Sequence, residues 1–374
     1  MGSRKAIVVG GSVGGLFVGG LLRRAGWEIA IYERSPTGLA GKGAGLVPQQ
    51  EVAEILREIQ RPDVLRTGVV AEERIFLERS GQVIGALKTP QAQISWDLLF
   101  TAFRSEVPDA CYHLGKPVVR VETDEEQARV VFADGSEDIA DLVIGADGIG
   151  SVVRQAVAPG TEPRYAGYAA YRGLAPETQL PEQSAELVSE RFTFYNGPRS
   201  QYLGYLVAGA DGSTRAGERR YNWVWYRVLT EQRLAEALTS DAGERRQFSA
   251  PAGGLSTATK QELHKAAKEL LPPVLGEILL REERPFLQAI FDYEAPRMRH
   301  GRIVLLGDAA YVVRPHTAMG ISKAAGDAMT LRDVLIEEPT LDAALQSYEE
   351  RRMAAGSAIA AYGQRLGAEL GMHD

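Results

Sequence analysis

The chain opens on a strand, a glycine turn and a helix, and that start limits its fold more than any later feature. Ala6-Ile7-Val8-Val9 is a continuous apolar run of the kind buried on both faces of a parallel sheet. Gly10-Gly11-Ser12-Val13-Gly14-Gly15 follows at once. A helical stretch from Leu16 to Ala25 ends at Gly26, and Glu28-Ile29-Ala30-Ile31-Tyr32 reads as the next strand. This is a β-turn-α-β unit of the size that starts a Rossmann-like sheet. Unpaired N–H groups and the helix dipole at such a turn favour a pyrophosphate. Gly10, Gly14 and Gly15 allow close backbone approach, with Val13 opening the helix. Ser12 stands where a glycine is usual and is small enough to keep the turn. Glu33, 23 residues after Gly10 and followed by Arg34, is placed to accept the hydroxyls of an adenosine ribose. The alternative is an ordinary glycine turn in an α/β protein.

Two later strand ends repeat the pattern of an apolar run closed by glycine and aspartate. Asp138 to Ile144 runs into Gly145-Ala146-Asp147-Gly148, followed by Ser151-Val152-Val153-Arg154. Arg302 to Leu306 runs into Gly307-Asp308-Ala309-Ala310, followed by Arg314-Pro315-His316-Thr317-Ala318-Met319-Gly320. Each aspartate falls at the carboxyl edge of a strand, where open α/β sheets bind ligands. Asp308 can accept bonds from sugar-like hydroxyls, and Gly320 opens a helix whose N–H groups can face an electron-rich ring edge. Singly, either aspartate could be a helix N-cap.

From about Arg164 the texture becomes strand-like and aromatic: Tyr165 to Arg172, Arg191 to Tyr195, Tyr202 to Val207 and Tyr221 to Val228. The expected architecture is α/β. A dinucleotide-binding domain, residues 1–163 with 284–374, carries an inserted β-rich domain, 164–283, and ends in a long helix from about Leu341 to Leu370. Tyr221, Trp223 and Trp225 alternate on one strand face, where they wall a planar substrate or form core. Tyr205 and Arg172 are further candidates, Arg172 for a carboxylate or an anionic ring oxygen. His316 is the histidine that falls within the third motif, where it is either a proton acceptor or a packing residue. The Arg351-Arg352 pair reads as a solvated helix face.

A net charge of −7 and an isoelectric point near 5.5 argue against nucleic acid as the main partner. One cysteine, Cys111, makes neither a disulfide nor a thiol metal site, so no metal is expected and a reducing cytoplasm is the default compartment. The N-terminal apolar run is too short for a signal peptide or a membrane span.

Taken in this order, the three motifs resemble those of the single-component FAD-dependent aromatic hydroxylases, over nearly the whole chain. The resemblance implies that Gly10 to Gly15 hold the ADP half of FAD and that Gly43, Ala44 and Gly45 add a second contacting stretch. It assigns Asp147, Gly148 and Arg154 to cofactor binding, Gly307 and Asp308 to the ribitol side, and Pro315, Ala318, Met319 and Gly320 to the isoalloxazine cradle. It places Pro315 and His316 beside the flavin; with the strand candidates named above, the catalytic set is His316, Pro315 and Arg172, and the substrate set is Tyr205, Trp223, Trp225 and His316. Arg314-Pro315-His316 and the Tyr165 to Gly173 segment are most like a hydroxypyridine-hydroxylating branch. Tyr311 stands where the family often has histidine, and Ser95-Trp96 where it often has arginine.

The activity implied is an NADH- or NADPH-dependent transfer of one oxygen atom from O2, through a flavin C4a-hydroperoxide, to a small electron-rich aromatic or heteroaromatic ring. The alternatives on the same fold are a flavin oxidase or dehydrogenase, and a flavin-binding protein without turnover. The oligomeric state is left open, a homodimer being one outcome.

Overall fold

The computed structural model describes residues 4–39 and 45–371. Gly43 and Ala44 lie outside them. Two large sheets organise the chain, with a separate three-stranded sheet of Val118–Thr123, Ala128–Phe132 and Glu137–Ala140.

The first large sheet has six strands, and its centre is parallel. Ile303–Leu305, Leu142–Gly145, Lys5–Val9, Glu28–Glu33 and Tyr112–Leu114 lie side by side in that order. Lys5–Val9 is buried on both faces, as its unbroken apolar run requires. The register pairs Tyr32, Val9, Gly145 and Leu305 across neighbouring strands. Glu33, Gly10, Ala146 and Leu306 therefore stand next along one carboxyl edge. Helices Val13–Arg24, Trp96–Arg104 and Gly320–Glu337 pack beside this sheet.

The second sheet is mostly antiparallel. Its path runs from Phe286–Glu294 through Arg164–Pro176, Arg220–Val228, Ser200–Val207, Arg191–Gly197 and Val69–Leu77 to Val83–Ser95. Three of these strands fall outside the 164–283 span expected for the β-rich unit: Val69–Leu77, Val83–Ser95 and Phe286–Glu294. Sheet membership thus draws on three stretches of chain. Strand Val83–Ser95 escapes pattern reading because its first half is exposed and it contains Pro90, both features of an edge strand.

The expected C-terminal helix is present as Leu341–Glu369. Its glycines receive the preceding loop: a Cβ on Gly356 would overlap the Tyr311 ring, and one on Gly363 would crowd Thr317 and Arg314. The expectation of a solvated Arg351-Arg352 pair holds for one member only. Arg351 reaches Glu337 at the surface, whereas the Arg352 Nε donates to Asp327 Oδ1 at 2.6 Å inside the protein. Adjacent helical residues point about 100° apart, so one face can be wet and the next buried.

Candidate active site

The glycine turn after Val9 is shaped by backbone contacts that exclude side chains. Gly10 has φ +107° and a Cβ there would overlap the Ala146 carbonyl; one on Gly15 would overlap the Gly10 carbonyl. Glu33 is buried, and its two oxygens accept the Gly11 N–H at 2.9 Å and the Ser35 N–H at 2.8 Å. These bonds fix the carboxylate at the strand end with further lone pairs to offer. Ser12 N-caps helix Val13–Arg24 without a side-chain bond, and the first turn has no acid. Helix Gly320–Glu337 also starts without a side-chain cap or an acid, and a Cβ on Gly320 would meet open space. A Cβ on Gly14 would come within 3.6 Å of Ala324, so the first turns of the two helices are neighbours. Two uncapped N-termini and a ribose-height carboxylate fit an adenine dinucleotide.

The aspartates of the two later motifs have different jobs. Asp147 is half-buried; it accepts from Ser151 Oγ, the Val152 N–H at 2.7 Å and the Val153 N–H at 3.2 Å. Burial pushes its carboxyl up, against those hydrogen bonds. It holds the backbone N–H groups at the start of the short helix Val153–Val157 from across its loop, while the N-cap residue itself is Val152. The Arg154 guanidinium is spent on backbone: Nε on Ala309 O at 3.0 Å, one Nη on Ile149 O at 2.7 Å, the other on Asp308 O at 2.9 Å. It also stacks on Tyr293, 4.1 Å from the ring centre. Arg154 thus staples one motif loop to the other. Asp308 is half exposed, with Lys323 behind it at 3.3 Å. Lys323 is buried and also donates to the Tyr311 carbonyl. Gly307 has φ +63° and donates its N–H to Asp327 Oδ2 at 2.9 Å, which links that motif to Arg352.

His316 sits in the 3₁₀ turn Pro315–Thr317, and Ala318 follows with φ +54°. Its Nε2 lies 3.0 Å from the Tyr168 hydroxyl, and its ring centre is 4.4 Å from that of Tyr226. Nδ1 is buried without a partner. Burial, and then the Arg314 charge, push this imidazole down to about 4. Arg314 is clamped by Asp292 through two bonds, 2.9 and 2.7 Å.

Strand alternation decides which expected substrate residues share this chamber. Tyr226 faces His316, so Val224 and Asn222 lie on the same face of strand Arg220–Val228, and Trp223 and Trp225 on the other. Both tryptophans are completely buried among Tyr171, Tyr202, Leu263 and Leu275. Their assignment to the substrate is corrected: they are core, one residue out of phase with the chamber. Tyr205 pairs with Asn222 and Arg172 with Val224, which puts both on the chamber side. Burial pushes Tyr205 up to about 12, opposed by the Arg172 charge. The Arg172 Nε is buried and unpartnered. Tyr168 and Tyr226 were missed in the sequence; the signal was the even-numbered phase of their strands, hidden by the larger tryptophans beside it.

Fold, motif positions and the dinucleotide cleft together define a flavoprotein monooxygenase. The chain belongs to the single-component FAD-dependent aromatic hydroxylases. Family models described as "FAD binding domain-like" and "FAD binding domain" match residues 165–292 and 249–362. It is 32% identical to 2,6-dihydroxypyridine 3-monooxygenase of Paenarthrobacter nicotinovorans, over 94% of this chain and 87% of that one. It is 27% identical to 6-hydroxynicotinate 3-monooxygenase of Bordetella bronchiseptica, over 96% and 90%. The solved 2,6-dihydroxypyridine-3-hydroxylase from Arthrobacter nicotinovorans superposes with a TM-score of 0.91 at 31% identity, over 99% and 93%. Among the described residues, no helix is long and apolar enough to cross a membrane.

Proposed function

We propose that this FAD-dependent monooxygenase uses NADH or NADPH and O2 to hydroxylate a small electron-rich ring, of hydroxypyridine or phenol type, bound as its anion. The carrying observation is the pair of buried N–H donors without partners on the chamber walls, Arg172 Nε and His316. Arg314 stacks over Tyr168, 5.6 Å from its ring centre, and favours the phenol oxygen as its own acceptor. Tyr168 then donates its proton to His316 Nε2, which leaves Nδ1 carrying the ring N–H. Two donors and a nearby arginine charge suit an oxyanion better than a neutral hydroxyl. A neutral imidazole held near 4 is a poor proton acceptor, so His316 orients the substrate oxygen, and Tyr168, Tyr205 and Tyr226 wall its ring.

Gly10 to Gly15, Glu33, Gly45, Asp308 and the N-terminus of helix Gly320–Glu337 would hold FAD, with Pro315, Ala318 and Met319 against its ring. Bound FAD accepts a hydride and supplies the activated oxygen; the chamber contributes orientation and exclusion of water. The compartment proposed is the cytoplasm, where reduced nicotinamide is held and a lone Cys111 stays reduced.

A dihydroxypyridine, the ring in the name of the relative at 32% identity, is electron-rich, loses a proton readily and is the first ring to try. The flavin-loaded protein is mixed with NADH or NADPH, O2 and the ring, and product mass is read. Gain of one oxygen atom, with the rate falling as the ring is protonated, is the expected result. Nucleotide oxidation that yields only hydrogen peroxide across a panel of such rings would turn the reading to an oxidase.

A further inference from the structure

We infer that Lys323 is a positioning residue for the cofactor: it aims the Asp308 carboxylate at FAD and balances its charge there. The inference rests on the reading that Asp308 holds FAD.

Lys323 stands where a cation is doubly out of place. Its side chain is 1% exposed, and a buried ammonium is costly unless a counter-charge meets it. It also lies in the first turn of helix Gly320–Glu337, the end whose dipole disfavours a positive charge. The ammonium reaches two acceptors, the Tyr311 carbonyl and Asp308 Oδ1 at 3.3 Å. A neutral amide would satisfy the carbonyl without either penalty, so the charge answers to the carboxylate. Asp327, one turn further along the same helix, is engaged elsewhere. It accepts the Gly307 N–H at 2.9 Å and the Arg352 Nε at 2.6 Å.

The backbone around Asp308 is held from two directions. Gly307 is tied to Asp327, and the carbonyls of Asp308 and Ala309 accept from Arg154 at 2.9 and 3.0 Å. The carboxylate itself is half exposed, and among the described residues its hydrogen bond is to Lys323. Fixing Oδ1 fixes the direction in which Oδ2 is offered, and a carboxylate has lone pairs for both tasks. The pairing also settles a conflict of charge. FAD brings an anionic pyrophosphate, which an uncompensated carboxylate nearby would repel. With Lys323 behind it, Asp308 presents acceptors as half of a neutral pair.

The test is flavin release from the holoenzyme on dilution, read as recovered flavin fluorescence. Lys323→Gln keeps a donor for the Tyr311 carbonyl and removes the charge. It is expected to raise the FAD Kd roughly tenfold, the loss of one charge-assisted pairing. In an Asp308→Asn background the same change should have little further effect, because no carboxylate is left to aim. Without its cation Asp308 protonates more readily, so the ratio of variant to parent Kd should grow as pH falls from about 7.5 to about 5.5. Taking the ratio cancels His316 and the charged groups around the pair that both proteins keep, Arg154, Asp147, Asp327, Arg352 and Tyr311. If Lys323 only ties down the Tyr311 carbonyl, Lys323→Gln retains FAD like the parent. Lys323→Met, which lacks the donor, then lowers both FAD affinity and the urea midpoint of the flavin-free protein. That result overturns the inference, as does an equal cost in both backgrounds or a ratio that does not change with pH. A parent that does not itself retain FAD would overturn the cofactor reading, and the inference with it.

Discussion

The sharpest consequence of the chamber is that His316 should act as an acid-sensitive weak point and not as a base. In the unfolded chain its imidazole protonates near 6.5; in the folded chain burial and Arg314 hold it down to about 4. Between those values the unfolded chain binds more protons than the folded one. Stability therefore falls as pH drops from 6.5 towards 4, and this contribution stops changing below 4. Each tenfold in proton affinity is worth about 1.4 kcal/mol, so roughly 3 kcal/mol is at stake across the window. His316→Gln removes the titration and keeps a polar side chain. The assay is urea unfolding of flavin-free protein at pH 7.5 and 4.5, for parent and variant, so that all other titrating groups cancel. The parent is expected to lose about 2–3 kcal/mol more than the variant. An equal loss in both would mean that the folded chain protonates His316 freely, and the buried-donor account would fall. The rate gives an independent check. With His316 as an orienting donor, hydroxylation by the variant drops by the same factor from pH 6 to 9; recovery at high pH would restore it as a base.

Three further outcomes follow from single contacts. Glu33→Gln should weaken FAD roughly tenfold, the low end for a charge-assisted hydrogen bond, and flavin titration of the two proteins measures it. Trp225→Ala should cost about 3–5 kcal/mol of stability by opening a core cavity, with the KM for the ring unchanged; a raised KM at parental stability would return Trp225 to the substrate wall. Asp327→Asn strands the buried Arg352 guanidinium and should cost about 3 kcal/mol. Adding Arg352→Met should recover much of that loss, and a double-mutant cycle in urea that shows simple additivity would refute the coupling.

Much of the fold was legible, because its strands and caps obey local rules. Lys5–Val9 is apolar throughout and buried on both faces; Ser95 caps its helix; Asp134-Gly135 turns a hairpin. The three motifs were legible as ligand-edge loops because each follows a strand of one parallel sheet. What local pattern could not show was the partner of each polar group. Arg352 reads as a surface cation on its helix; only the packing of helices Gly320–Glu337 and Leu341–Glu369 sets it against Asp327. The tryptophan stripe was legible as a stripe, but the face it occupies depends on strand phase relative to a distant loop. Arg154 carries the residue type of a phosphate ligand, yet its donors are taken by carbonyls 154 and 155 residues away.

Those long-range bonds explain how a loop can hold His316 against Tyr168. Arg314, two residues before His316, grips Asp292 on strand Phe286–Glu294. Asp292 pairs in register with Arg164 on strand Arg164–Pro176, which carries Tyr168 four residues on. Tyr168 then bonds back to His316. The circuit closes through a side-chain ion pair, a backbone ladder and one hydrogen bond. It leaves the imidazole little freedom that does not break one of the three. On the opposite side of the loop, Gly363 lets the C-terminal helix sit directly against Arg314 and Thr317, so retreat from the chamber meets backbone. Tyr293, next to Asp292 on the same strand, stacks on Arg154, which staples the other two motif loops together. One strand of the substrate-side sheet thus references the histidine loop through Asp292 and the dinucleotide loops through Tyr293. Relative placement of the ring to be oxidised and the cofactor that oxidises it rests on two adjacent residues pointing to opposite faces, the alternation that a β-strand enforces.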